Sequence, residues 1–183
     1  MLRMLSLHPD SRCAAVTGVA AEAVRPGPGR LSLRYIVTGA PGGLVVPAPA
    51  APDRADGLWR HTCFEAFVRP AAGEGYCELN FAPSTQWAAY RFDGYRQGMA
   101  PVQGIDPPRI QMRRTGDGFE IEAALALDKA PGLPPAAPWR LGLSAVIEEA
   151  GGGVSYWALA HPPGKADFHH ADGFALRLPG IGT

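Results

Sequence analysis

The strongest constraint on this chain is a rhythm of short runs in which apolar and polar residues alternate with period two, cut apart by glycine and proline. RLSLRYIV puts Leu31, Leu33, Tyr35 and Val37 on one side, and FEIEAAL does the same with Phe119, Ile121, Ala123 and Leu125. QWAAYRF divides Ala88, Tyr90 and Phe92 from Trp87, Ala89 and Arg91. FEAFV, CELNF, RIQM, RLGLSAVIEE, VSYWALAH and FALRL complete the set. Period two is the mark of strands that bury one face. The 23 glycines and 19 prolines are scattered, so each run ends at a turn rather than at one linker. Residues 122–130 (EAALALDKA) offer one helical turn, but the alternation starting at Phe119 favours a strand. About nine strands with short connections predict an all-β antiparallel sandwich, two sheets in an immunoglobulin-like or jelly-roll-like arrangement. The whole chain, 1–183, reads as one domain. Its Pro- and Ala-rich stretch 39–57 reads as an ordered surface loop, of a kind that often sits near a binding site.

Charge narrows the partners. Seventeen basic residues balance seventeen acidic ones, which argues against nucleic acid, whose binders carry a basic excess or stripe. No apolar run approaches the roughly 20 residues that span a bilayer. The N-terminal apolar stretch is broken at His8, Pro9 and Asp10, unlike a signal peptide, and a cytoplasmic location follows as the expectation. The cysteines are odd in number, Cys13, Cys63 and Cys77, without a CxxC pair. If Phe64, Ala66, Val68, Leu79 and Phe81 face the core, Cys63 and Cys77 fall on opposite sides of their sheet and do not bridge. All three are expected to be free thiols.

Three blocks concentrate unusual residues: DGLWRHTCFEAF (56–67), YCELNFAPSTQWAAYRFDGYR (76–96) and SYWALAHPPGKADFHHADGFALRL (155–178). A Trp, a Glu six residues later on a strand, an extended Y-x-E-x-N-F-x-P-S and then W-x-x-Y-x-F resemble the type 9 carbohydrate-binding modules. More broadly, residues 28–180 look like DOMON-like ligand-binding β-sandwiches. They also resemble a bacterial branch of these that ends in a similar YWAL-x-HPPG segment. In the sugar-binding members, two tryptophans clamp a terminal sugar while charged and amide side chains bond its hydroxyls. The resemblance therefore implies Trp59 as the first clamp aromatic, with Glu65, Glu78 and Asn80 as polar contacts. Trp157 is the candidate for the second clamp. The His-rich C-terminal segment and the reduced cysteines depart from the sugar binders.

Each candidate has a plainer reading. Glu78 is equally explained as a solvated strand position, whereas Asn80 is harder to dismiss because asparagine is depleted in strands. Arg91 could fork onto hydroxyls or simply pair with an acid. His161 falls on the strand face of Trp157 and so joins the candidate pocket. Lys165, Asp167, His169 and His170 read as loop-ordering or rim residues. A metal set of His161, Asp167 and His169 has the right chemistry, but Pro162, Pro163 and Gly164 interrupt any ligand spacing. Some DOMON-type domains bind haem, for which His61, Met99, His161 and His169 are the available ligands. Glu65 and Glu78 could also pair as hydrolase carboxylates if their strands are neighbours. The leading expectation is non-catalytic recognition of a saccharide or sugar derivative without a cofactor. The alternatives are a haem- or metal-binding domain and a small hydrolase.

Overall fold

The alternating runs form strands. In a computed structural model, which describes residues 1–182, the strands are β1 (Arg3–Leu7), β2 (Val16–Val24), β3 (Arg30–Gly39), β4 (Cys63–Pro70), β5 (Tyr76–Phe81) and β6 (Trp87–Phe92). They continue with β7 (Ala100–Pro101), β8 (Arg109–Thr115), β9 (Gly118–Ala126), β10 (Trp139–Glu148), β11 (Val154–Ala158) and β12 (Leu176–Leu178). The described residues contain no α-helix, only three single 3-10 turns. Every ladder is antiparallel, and the expected all-β sandwich is the fold observed.

The two layers are one sheet that curls back on itself, in the order β7-β6-β5-β4-β10-β11-β1-β2-β3-β9-β8, with β12 also paired to β10. The join is β1. Its first half, Arg3–Leu5, pairs with β2, and its second half, Ser6–Leu7, pairs with β11.

Between the layers lies one contiguous apolar core. Phe64, Ala66 and Val68 of β4, Leu79 and Phe81 of β5, and Leu141, Leu143 and Ala145 of β10 face Leu31, Leu33, Tyr35 and Val37 of β3 and Phe119 and Ile121 of β9. Each fully buried large apolar side chain of this kind contributes roughly 1.5–3 kcal/mol. The Tyr35 hydroxyl crosses the core and donates to the backbone carbonyl of Glu65 at 2.6 Å, pinning β4 to the far layer at that residue. All three cysteines are free; Cys77 lies in the core while Cys63 shares the other face of β4 with Glu65.

Strands β1, β2 and β7 were absent from the alternation reading. β2, VTGVAAEAV, is small-residue-rich and buries six of its nine residues in an irregular pattern, so it shows no clean period of two.

Candidate ligand-binding site

The front layer buries both of its faces. Behind it is the core; in front, the alternate positions on the same strands build a second, smaller cluster from Phe67, Tyr76, Ala88, Tyr90 and Phe92, joined by Phe174 from the C-terminal segment. β5 is therefore buried at all six positions, Tyr76, Glu78 and Asn80 as fully as Cys77, Leu79 and Phe81. Three connections cover this front face. One is the 39–57 stretch and the turn after it, one is the loop following β6, and one is the segment HPPGKADFHH. Between them and the strands lies a cavity of about 360 Å³, lined by Glu65, Glu78, Phe67, Val146 and Tyr156 from the strands and by Trp59, Arg96, Met99, Phe168 and His169 from the loops.

The first covering element is built to deliver Trp59. Its backbone runs beside β6, with Ala55 N–H donating to the Trp87 carbonyl and Trp87 N–H donating to Asp53. Asp56 accepts a hydrogen bond from the Tyr90 hydroxyl. Gly57 then turns the chain at φ 76°, a left-handed conformation suited to glycine. The 3-10 turn Leu58–Arg60 follows and sets Trp59, half-buried, edge-on to Tyr90 at 6.0 Å.

The floor is acidic. Glu65 is 3% exposed and Glu78 is 5% exposed, unusual for carboxylates. In the β4–β5 ladder Glu65 stands opposite Asn80 and Phe67 opposite Glu78, so the two carboxylates are diagonal neighbours. Ser144 of β10 donates to Glu65 Oε2 at 3.1 Å, and Asn80 Nδ2 donates to Glu78 Oε1 at 2.8 Å. Burial, and then the charge of Glu78, push the Glu65 carboxyl up to about 8. Burial also raises Glu78, against the hydrogen bond from Asn80. Cys63 is raised far above the usual thiol range, first by burial and then by Glu65.

The segment HPPGKADFHH, residues 161–170, makes the opposite wall. Asp167 accepts from Arg96 Nη2 at 2.8 Å, from the Tyr95 hydroxyl at 2.6 Å and from His169 N–H at 3.1 Å, which ties two covering loops together. Arg96 itself holds φ 54°, a left-handed conformation that strains a non-glycine residue, and its N–H donates to the Tyr76 hydroxyl. That hydroxyl also hydrogen-bonds His169 Nδ1 at 2.7 Å, and the other ring nitrogen, Nε2, lies 3.7 Å from Glu78 Oε2. Burial, with the nearby Arg96 charge, holds His169 down at about 4, so the imidazole is neutral. Phe168 packs near the rings of Phe67 and Tyr156.

The structure brings together Trp59, Glu65 and Glu78, and sets Asn80, fully buried, behind Glu78 as its hydrogen-bond donor. Three candidates stand elsewhere. Trp157 lies in the main core at 6% exposure, its Nε1 donating to Ser155, because the neighbouring Tyr156 takes the cavity side of β11. Arg91 pairs across the ladder with Cys77 rather than with Glu78, which turns it to the reverse face, where it bonds Asp93 at 2.8 Å. His161 donates from Nε2 to the Ser6 carbonyl and meets the His8 ring edge-on at 4.8 Å; it tethers β1 instead of lining the cavity.

The metal set does not converge either. Asp167 is engaged by Arg96 and Tyr95, and no group of three His, Cys, Asp or Glu side chains suited to a metal occurs among the described residues. Of the haem-ligand candidates, His61 bonds Glu148 and His161 bonds Ser6, while Met99 and His169 share the cavity. Parity alone could have picked out Phe67, Tyr76, Phe92 and Tyr156, which alternate with core positions. Arg96, Met99 and Phe168 carry no such signal, since they come from loops.

A single curled antiparallel sheet with a part-aromatic, part-acidic cavity on its front face defines a β-sandwich. No family model and no curated protein matches the chain. Solved structures do share its fold. A proposed carbohydrate-binding protein from Bacteroides uniformis superposes with a TM-score of 0.65 at 11% identity, over 94% of this chain and 83% of that one. A family 9 carbohydrate-binding module from Caldicellulosiruptor kristjanssonii in complex with cellotriose gives 0.52 at 13% identity, over 90% and 74%. The glucose complex of such a module from that organism gives 0.50 at 13%, over 85% and 72%. The chain thus has the fold of the family 9 carbohydrate-binding modules.

Proposed function

We propose that this protein is a non-catalytic, DOMON-like binding domain whose cavity takes a saccharide or sugar derivative. Trp59 stacks on the apolar face of the ring, and Glu65 and Glu78 accept from its hydroxyls, while Asn80 holds Glu78 in place. Stacking of this kind adds about 0.5–1.5 kcal/mol beyond area burial, and hydrogen bonds to charged groups about 1.5–3 kcal/mol. The observation that carries the reading is the meeting of Trp59 with two buried carboxylates in one cavity of about 360 Å³. The fold shared with modules solved in complex with cellotriose and glucose supports it. Titration calorimetry with monosaccharides and reducing-end oligosaccharides is the test. Heat of binding that disappears in Trp59→Ala is the expected result, and the absence of binding by any sugar would refute it.

One observation favours a hydrolytic reading: Glu65 keeps its proton at neutral pH beside a second carboxylate, the condition of a general acid. The two carboxylates are diagonal neighbours on adjacent strands of one floor. Chromogenic glycosides decide the matter, since turnover lost in Glu78→Gln would establish hydrolysis.

A further inference from the structure

The cavity floor holds more acceptors than donors, and its neighbouring cations are engaged elsewhere. Ser144 and Asn80 satisfy one oxygen of each carboxylate. Among the described residues no side chain donates to Glu65 Oε1, and Glu78 Oε2 has only His169 Nε2, beyond hydrogen-bond distance at 3.7 Å. Arg96, the cation of the wall, is paired with Asp167. His169 is neutral, its Nδ1 bonded to Tyr76. Above this floor the cavity is walled by aromatic rings, Trp59, Phe92, Tyr156 and Phe168. Aromatic faces attract cations, most strongly where water is excluded. A hydroxyl brings one donor proton, whereas an ammonium brings three and a charge opposite to that of the floor.

We propose that the ligand of this cavity carries a protonated amine, seated on Glu65 and Glu78 beneath Trp59 and Phe168. Combined with the saccharide reading, on which its sugar half rests, the ligand class is an amino sugar rather than a neutral one. In the free protein a proton fills the place of that cation. The titratable and charged groups around Glu65 are Cys63 on its own strand, Tyr35 on β3, Glu78 on β5, Tyr156 on β11, and Arg96 and His169 from the covering loops. Of these only Arg96 is positive, and Asp167 neutralises it. An ammonium arriving on the floor therefore displaces a proton from the Glu65 carboxyl to solvent. Binding of an amine that stays protonated, as an alkylammonium does to about pH 10, strengthens as pH rises toward 8.

The test is calorimetry on the full chain with glucose, glucosamine, N-acetylglucosamine and cyclohexylammonium. It is run at pH 6.5 in two buffers of different ionisation heat, and for cyclohexylammonium again at pH 8. Glucosamine should bind about tenfold or more tighter than glucose or N-acetylglucosamine, with release approaching one proton. In Glu65→Gln, and separately in Glu78→Gln, the ratio of glucosamine to glucose affinity should collapse toward unity and the proton release should fall, whatever each sugar loses in absolute affinity. Equal affinity for glucose and glucosamine would overturn the amine and leave the saccharide reading standing. Binding of cyclohexylammonium with no sugar bound would overturn the saccharide reading and leave the amine. No binding of any probe would overturn both.

Discussion

The two faces of β4 and β5 are made by the same fourteen residues of chain, and both are largely buried, yet they are opposite materials. Behind, Phe64, Ala66, Val68, Leu79 and Phe81 join a dry core in which shape is the only requirement. In front, Cys63, Glu65, Glu78 and Asn80 are as deeply buried, and the thiol, the amide and one oxygen of each carboxylate there have a particular partner. Burying carboxylates this way works against the fold unless they are paired or protonated. The back face therefore accounts for stability and the front face holds buried polar groups at a cost to it, and one strand carries both at alternate residues.

The contrast breaks most visibly at Phe64 and Glu65. Phe64→Ala should lower unfolding free energy by about 3–5 kcal/mol in urea melts, because the void opens in the closed core. Glu65→Gln, one residue along, should leave stability at pH 7 unchanged or improved. An equal loss in both variants would erase the distinction between the faces.

A pH series comes next in size. The native Glu65 carboxyl at about 8 lies above the ordinary 4.5, so the folded state holds a proton that the unfolded chain gives up, and stability falls as pH rises toward 8. His169 works in the opposite sense: held at about 4 against an ordinary 6.5, it penalises folding as pH drops below 6.5. The two offset each other between about 4.5 and 6.5. From 6.5 to 8 the raised Glu65 carboxyl dominates, with the raised Glu78 acting in the same sense, a decline of about 2 kcal/mol that melts across pH should show and Glu65→Gln should reduce.

Two smaller effects sharpen the picture. Trp59→Ala should cut saccharide affinity at least tenfold, about 1.4 kcal/mol, in calorimetry while changing stability by less. Tyr35→Phe removes the hydroxyl that reaches through the core to the Glu65 carbonyl and should cost about 1 kcal/mol in the same urea melts.

Much of this was legible in the residues, and the boundary of legibility has a physical origin. A strand with apolar residues at every second position has one possible inward face, so β3, β9 and the core sides of β4 and β5 could be read directly, and with them the separation of Cys63 from Cys77. Where both faces are buried, alternation marks two sets without saying which is core. In β11 adjacent Tyr156 and Trp157 offered two aromatics for one dry position, and the indole took it with Ser155 as its partner. Arg91 depended on the β5–β6 register, which places it across from Cys77. The walls contributed by Arg96, Met99 and Phe168 are brought in by contacts between loops some seventy residues apart, such as Arg96 with Asp167, which no local pattern encodes.

The divided pairing of β1 bears on how the molecule is assembled. Arg3–Leu5 can zip onto β2 as soon as the first hairpin forms, but Ser6 meets Ala158 only when more than 150 residues have followed it. Closure entropy for such a loop must be met before its contacts reward it, so the seam at β11 should be among the last ladders to form. Until then β1 and β11 each expose a bare edge, the state most open to pairing with a second chain. His161, bonded to the Ser6 carbonyl at 2.8 Å, acts as the latch on that seam. Refolding yield, more than native stability, is the property through which a fault there would first be noticed.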